Sequence, residues 1–512
     1  MTPYHLFITA LIALCFYFAA PYIRLCPPHK RRWLFGSRYT MPPGPSGHLV
    51  FGNLLEWLRA RNGGTMVSWL VEQARHGEMT TLSMGTKTWV LLNNSRVVHE
   101  IISKRAGITH ERPYFPIAGG LVSRDKRLFL QKTDDWREGR RLLHQLIMGS
   151  DSRNHGHLAE AASLELLQAY LDEPRAWHTH HYRYAVSIMY RIVTNTPLQR
   201  TTAELEDLRQ VTSTFLTSIN SSFVEFFPQL SRLPETLQFW RSHWEEMGTF
   251  HYNVFKHWWA GMKPLADLSA EPSFVRDAVL KTYSGTEEQA MYLTMLAIVA
   301  GADNPRMAMN TWTMACLAYP AVMQQAREEL DRVCGSDAHR LPNLDDLPRL
   351  PYMCAVVKEV LRWRPIVPLV PQRVLVEDLE FEGYRFPAGT EFLINSIPVC
   401  SNGYERPTEF WPERWLENNV CGGGIEQGLW QFAFSGGKRS CVGYKLAQKE
   451  LFVALSRLLY CFDYSPAGAI DDEKLGHFGS GEPFPVKVTI RSPAHECLVR
   501  REVKKGDENP IV

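Results

Sequence analysis

The sequence predicts a mainly α fold with small β-sheets (α+β), preceded by one N-terminal transmembrane helix. Three observations predict it. Apolar positions recur at helical spacing over residues 287–318, 320–333, 352–363 and 442–459. Short alternating runs bounded by glycine mark strands at 80–83 and 88–92, within 379–399 and at 485–490. Residues 4–23 are apolar and uncharged apart from His5, and about 20 such residues suffice to cross a bilayer as a helix.

Composition bounds the class. The 512 residues are 45% hydrophobic and 21% charged, as expected of a globular chain rather than a disordered one. A formal net charge of +2 argues against nucleic acid as a partner. Ten cysteines occur without a C-x-x-C pair or nearby histidines, so neither a zinc site nor a disulfide framework is indicated. A reducing compartment fits that usage.

From the N-terminus, Arg24, Lys30, Arg31, Arg32 and Arg38 follow the apolar run, and no acidic residue precedes Glu56. Positive charge on that flank places it in the cytosol. The run is longer than a signal-peptide core and has no basic segment before it, which favours a retained anchor over residues 1–23. In this topology the N-x-S sites at Asn93 and Asn220 stay unglycosylated. Residues 24–45 form a basic and proline-rich linker, closed by the stiff run Pro42, Pro43, Gly44 and Pro45.

A hairpin around Gly85 opens a small sheet. Residues 105–130 carry Pro113, Pro116, Gly119 and Gly120 and lack periodicity, which reads as a loop. Trp136 and Arg140 lie four apart on a helical stretch and so share a face. Aromatic residues from Phe215 to Trp259 crowd one region at spacings that ordinarily mean core.

The helix at 287–318 would be about 48 Å long. At its middle stands AGADNP, residues 300–305. Pro305 removes an N–H, costs about 3 kcal/mol in an ordinary helix and leaves the Gly301 carbonyl without its helical partner. Further on, Glu359 and Arg362 form an E-x-x-R pair, and Arg414 sits in FWPERW at 410–415. Then comes FSGGKRSCVG at 434–443, in which Cys441 is framed by Gly437 and Gly443 and preceded by Arg439 and Phe434. Glycines let a backbone approach a large flat ligand. The following helix puts Cys441 at a helix N-terminus, where the dipole favours a thiolate.

The order E-x-x-R, P-E-R, F-x-x-G-x-R-x-C-x-G resembles the cytochrome P450 family, and the resemblance runs from about Pro42 onward. It implies heme b (iron protoporphyrin IX) with Cys441 as axial thiolate, whose electron push favours O–O cleavage. It further implies Phe434 beside the sulfur, and Arg439, Trp136, Arg140 and Arg373 as propionate contacts. Gln372 stands before Arg373 where histidine is frequent. Glu359, Arg362 and Arg414 become a buried ionic triad, the 105–130 loop covers the distal pocket, and the aromatic-rich helices form a lid over the substrate channel. The turn at 477–481 is expected to line the pocket.

In the family an acid followed by threonine delivers protons from the middle of the long helix. Asp303 matches the acid, while Asn304 replaces the threonine. Either the freed Gly301 carbonyl and the Asn304 amide hold a water through which Asp303 relays protons, or Asn304 merely satisfies backbone at a kink.

The expected domains are the anchor (1–23), the linker (24–45), a cytochrome P450 catalytic domain (46–495) and a charged, frayed tail (496–512). The resemblance implies a monooxygenase that inserts one oxygen atom from O₂ into a lipophilic small molecule. NADPH-cytochrome P450 reductase would supply electrons, with cytochrome b5 as a second donor, because no G-x-G-x-x-G fingerprint is present. Lys438, Arg439, Lys445, Lys449, Arg137 and Arg141 are candidates for docking an acidic partner, or are ordinary solvated charge. The expected location is the endoplasmic reticulum membrane, single-pass, with the catalytic domain cytosolic. The nearest resemblance is to microsomal members of filamentous fungi that oxidise terpenoid, polyketide or alkaloid intermediates of secondary metabolism. Two alternatives stay open: a heme-thiolate isomerase or dehydratase acting on a peroxide, and a non-catalytic heme-binding or sensor protein.

Overall fold

The computed structural model describes residues 40–148, 155–268, 273–416, 434–469 and 484–508. Its longer helices are α1 (Thr133–Met148), α2 (His155–Asp172), α3 (Trp177–Thr194), α4 (Thr202–Ser218), α5 (Arg241–Leu268), α6 (Glu287–Ala318), α7 (Pro320–Cys334), α8 (Pro351–Trp363), α9 (Tyr444–Cys461) and α10 (Pro493–Glu508).

Helix α6 has the bounds its periodicity predicts. It starts at a capping box: the Thr286 hydroxyl accepts from the Gln289 N–H, and the Gln289 side chain accepts from the Thr286 N–H. It packs along α3 and against α9, with Met309, Trp312 and Ala315 fully buried. At Gly301 the approach of α3 leaves no room for a side chain: a Cβ there would lie 2.5 Å from Met189 Sδ. Helix α8 begins at Pro351, and its free N–H groups at Tyr352 and Met353 donate to the Glu329 carboxylate of α7 at 3.0 and 2.9 Å.

The sheet is small. Strands β1 (Met79–Met84) and β2 (Lys87–Leu92) form the predicted hairpin, with Thr81 opposite Val90. Gly85 turns it at φ 59°. Strand β3 is Arg373–Val374, and β4 (Leu379–Phe381) pairs with β5 (Tyr384–Phe386). Strand β6 (Glu391–Ile394) lies parallel to β2 and antiparallel to β3, giving the order β1-β2-β6-β3. The last pair is β7 (Phe462–Pro466) with β8 (Val486–Ile490).

The aromatic region divides. Phe255 and Trp258 join the main core, whereas Phe215 and Trp240 form a separate cluster with Phe115, Ile117 and Val122 of the 105–130 segment. That segment therefore packs with the C-terminal end of α4 and the approach to α5 beside the main core. Leu237 and Phe239, between α4 and α5, are exposed.

Two expectations change. Residues 496–508 are not frayed: they continue α10, whose Leu498 and Val499 are buried beneath a charged outer face. The proline run is more than a linker, because Pro43 accepts from Thr81 N–H at 3.0 Å and a Cβ on Gly44 would collide with the Thr81 carbonyl. The body of the protein thus begins at about Thr40, whose carbonyl accepts from Arg385 N–H. Both N-x-S asparagines are buried. Asn93 donates to Gly77 and Thr80, and Asn220 exchanges amide bonds with Gln372. The anchor at 1–23 and the turn at 477–481 lie outside the described residues. Among the described residues no helix is long and apolar enough to cross a membrane.

Candidate functional site

The cysteine loop is shaped by its backbone. Ser435 and Gly437 both have positive φ, 60° and 65°, and Gly437–Arg439 forms a 3₁₀ turn. Cys441 N–H closes the loop on the Phe434 carbonyl at 3.0 Å. A Cβ on Gly437 would collide with the Ile102 carbonyl, so this glycine is required by φ and by the neighbouring turn at His99–Ser103. At Gly443 a Cβ would meet only Cys441 Sγ, at 3.8 Å.

Cys441 precedes the N-cap Gly443 of α9 by two residues. Its side chain is exposed, yet it sits deep enough that burial pushes its thiol up. Both hold for a side chain on the wall of an internal recess. The Gly443 N–H and the Arg140 guanidinium pull the other way and lose. Burial thus works against the helix dipole that was expected to favour ionisation here.

Around it lie four arginines. Arg140 Nη2 donates to the Ser440 carbonyl. Arg439 is buried; it stacks on Trp136 at 4.1 Å and donates to the His110 and Gln131 carbonyls. Arg373 donates to Ser435 Oγ at 2.9 Å and to the Arg439 carbonyl. Arg112, which sequence reasoning missed, donates to the Pro371 and Gln372 carbonyls. Nothing in the aperiodic 105–130 stretch marked it.

Arg373 Nη1, Arg439 Nη1 and Arg112 Nε are buried without hydrogen-bond partners among the described residues. Burial and the neighbouring arginines bring Arg373 down to about 9, and burial brings Arg439 to about 10. Glu111, at 4.0 Å from Arg439, is the ion partner of this group among the described residues. Orphaned buried cations beside an accessible sulfur fit a cofactor carrying carboxylates and a thiophilic metal. Heme meets both requirements. Phe434 is buried, with its ring centroid 6.2 Å from that of Tyr444 at the start of α9.

The structure brings the E-x-x-R and P-E-R residues together. Arg362 grips Glu359 through Nε at 2.9 Å and Nη2 at 2.7 Å, and Arg414 Nε reaches Glu359 Oε1 at 3.2 Å. Trp411 N–H and Trp415 Nε1 each donate to the same carboxylate at 2.9 Å. The remaining guanidinium donors satisfy carbonyls of Cys400, Pro407, Glu409 and Arg406. All three side chains are buried and fully engaged.

A cavity of about 180 Å³ lies against α6, lined by Leu296, Val299, Ala300, Asp303, Asn304 and Met307. Phe215 and Leu216 of α4, Val367, Leu369 and Arg127 complete most of its wall. Asp303 is buried and pairs with Arg306, whose Nη2 and Nε both reach Oδ1, at 2.7 and 2.9 Å. Asn304 donates to the Ala300 carbonyl at 3.3 Å, and α6 continues through Pro305. Gly301 faces Met189 rather than the cavity, so its small size serves helix packing. Arg439 leaves the proposed docking patch because it is buried, whereas Arg137, Arg141 and Lys438 are exposed.

A cysteine loop, buried arginines with unpartnered donors and an apolar cavity against one long helix make up the site of a heme-thiolate oxidoreductase. The comparisons give the family. Residues 42–481 match the family model "Cytochrome P450". Cytochrome P450 monooxygenase fogE of Aspergillus ruber is 27% identical, covering 90% of this chain and 89% of its own. Cytochrome P450 monooxygenase yanC of Aspergillus niger is 26% identical, covering 92% and 93%. A solved zebrafish cytochrome P450 with progesterone shares the fold at TM-score 0.66 and 24% identity, covering 83% of this chain and 99% of that one. The chain belongs to the cytochrome P450 family. It is an oxidoreductase of the monooxygenase type, and its cofactor is heme held by a cysteine thiolate.

Proposed function

We propose that the protein is a monooxygenase of fungal secondary metabolism in which Cys441 is the axial ligand of heme. Its substrate is a lipophilic small molecule bound in the cavity against α6. When bound, heme supplies O₂ binding and activation, with one oxygen atom inserted into the substrate and the other leaving as water. The observation that carries this reading is the accessible Cys441 side chain set among Arg140, Arg373 and Arg439, two of which carry buried donors without partners.

The chain's own residues take separate roles. Arg373 and Arg439, with Arg112 and Arg140, hold the propionates through charge-assisted hydrogen bonds. Apolar side chains at Leu296, Val299 and Val367 exclude water from the reacting centre. Asp303 is the proton carrier: Arg306 holds its Oδ1, and Oδ2 has no hydrogen-bond partner among the described residues. Asn304 assists at the cavity wall, and Asn304→Ala should uncouple NADPH use from product. Unchanged coupling removes Asn304 from the relay.

Electrons come from NADPH-cytochrome P450 reductase, with cytochrome b5 as a second donor. Exposed Arg137, Arg141 and Lys438 support an acidic docking partner. The apolar run at residues 4–23, its basic flank, and exposed Leu237 and Phe239 support attachment to the endoplasmic reticulum membrane.

The test is spectroscopic. Reduced protein with carbon monoxide should give the absorption that names this family, and Cys441→Ser should lose it while staying folded. A native-like spectrum in Cys441→Ser overturns the ligand assignment. Turnover of a peroxide without NADPH and reductase would replace the monooxygenase by an isomerase.

A further inference from the structure

Three ionisable side chains line the cavity against α6: Arg61, Arg127 and Asp303. Two of them are already engaged. Asp303 is paired with Arg306 at 2.7 Å. Arg61 Nη2 donates to the Leu216 carbonyl at 2.7 Å and the Ile219 carbonyl at 3.4 Å, at the C-terminal end of α4, where carbonyls lack helical partners.

Arg127 is different. It is 2% exposed, and its Nε has no hydrogen-bond partner among the described residues. Its recorded hydrogen bond runs from Nη2 to His251 Nδ1 at 3.3 Å, and no carboxylate among the described residues lies within ion-pair distance. The guanidinium stands 3.9 Å from the Phe215 ring centroid and 5.0 Å from that of Phe255. These aromatic faces attract a cation without neutralising it.

The surroundings hold this group in place. His251 Nε2 is 2.7 Å from Thr214 Oγ1. Burial and the adjacent arginine hold the imidazole down at about 2, so it is neutral, with Nδ1 accepting from Arg127 and Nε2–H donating to Thr214. Helices α4 and α5 thus grip Arg127 from two sides. Arginine keeps its proton at physiological pH even where burial lowers it to about 10. A buried cation without a counter-charge is retained at a cost to stability.

We propose that Arg127 is the substrate's anchor, and that the substrate is an apolar small molecule bearing a carboxylate. The carboxylate pairs with Arg127, and the apolar remainder rests against Leu296, Val299 and Phe215. The proposal rests on the cavity being the substrate site, as argued above. A neutral isostere would leave the guanidinium buried without a counter-charge, and that difference discriminates between the two. Arg127 touches substrate in this scheme and has no part in oxygen chemistry.

The experiment uses the heme-loaded protein and calorimetric titration with two isosteric pairs, octanoate with octanamide and 2-naphthoate with 2-naphthamide. In the wild type at least one carboxylate should bind ~10-fold or more tightly than its amide. Arg127→Met should erase that preference and leave amide binding unchanged, and Arg127→Lys should restore part of it. The thermal midpoint of Arg127→Met should equal or exceed that of the wild type, because an unpaired buried charge has been removed.

No pair preferring the carboxylate, including no binding at all, overturns the proposal. So does an Arg127→Met protein that melts several degrees lower, which would make the arginine structural. A protein that fails to give the carbon monoxide spectrum overturns the heme-thiolate reading instead, so the two failures are distinguishable.

Discussion

At the scale of single residues, burial decides what each charge can do. Glu359 receives donors from Arg362, Arg414, Trp411 and Trp415, so no lone pair faces water. Removing one member of such a buried set costs about 3–5 kcal/mol, because the others stay charged. Glu359→Gln is therefore expected to express without heme, read as the ratio of Soret to protein absorbance. A normally loaded variant removes the triad's role.

Glu225 is the converse case. It is fully buried, Oε1 accepts from Ala118 N–H at 2.9 Å, and burial raises it from 4.5 to about 7 against the pull of Lys87. Facing it are Lys87, Glu391 and the Ala118 and Ile117 amides. Its folded value lies above its unfolded one, so its stabilisation is full below 4.5 and is lost as pH rises through about 7. The change amounts to about 3 kcal/mol at most. Between about pH 5 and about pH 8 the thermal midpoint of the wild type should fall more than that of Glu225→Gln. Parallel curves would show that Glu225 does not titrate there.

At the scale of elements, the cysteine loop depends on what it leans against. Gly437 has φ 65° and no room for a Cβ beside Ile102. Gly437→Ala must shift either the loop or the turn at His99–Ser103, and with it Arg439 and Cys441. The expected outcome is heme lost on dilution at least ~10-fold faster than from the wild type, with far-ultraviolet circular dichroism unchanged. At Gly443 a Cβ would meet Cys441 Sγ at 3.8 Å, an ordinary contact with no backbone in the way. Both glycines were visible in the motif, but their different burdens were not. The difference lies in Ile102, which is over 300 positions away in sequence.

At the scale of the whole molecule, the described body packs from about Thr40 to Glu508 without a membrane-spanning helix among the described residues. The membrane attachment proposed above would rest on the apolar run at residues 4–23, with exposed Leu237 and Phe239 beside it. Removing residues 1–39 should move the protein to the soluble fraction in high salt, as read by sedimentation, while the carbon monoxide spectrum is kept. Complete sedimentation of the truncated protein would assign attachment to the exposed loop instead.

Sequence by itself determined the long helix at Glu287–Ala318, the hairpin around Gly85, the order of the motifs and the identity of the thiol residue. These are local: periodicity, a turn glycine and short spacings are complete within a few neighbouring positions. Tertiary structure alone decided that Gly301 packs against Met189, that Asp303 is held by Arg306, that residues 496–508 are helical, and that Arg112 and Arg127 stand buried without carboxylates among the described residues. Each of these depends on what approaches from elsewhere in the chain. Whether a charge is solvated, paired or left waiting for a ligand is fixed only when the distant segments have closed around it.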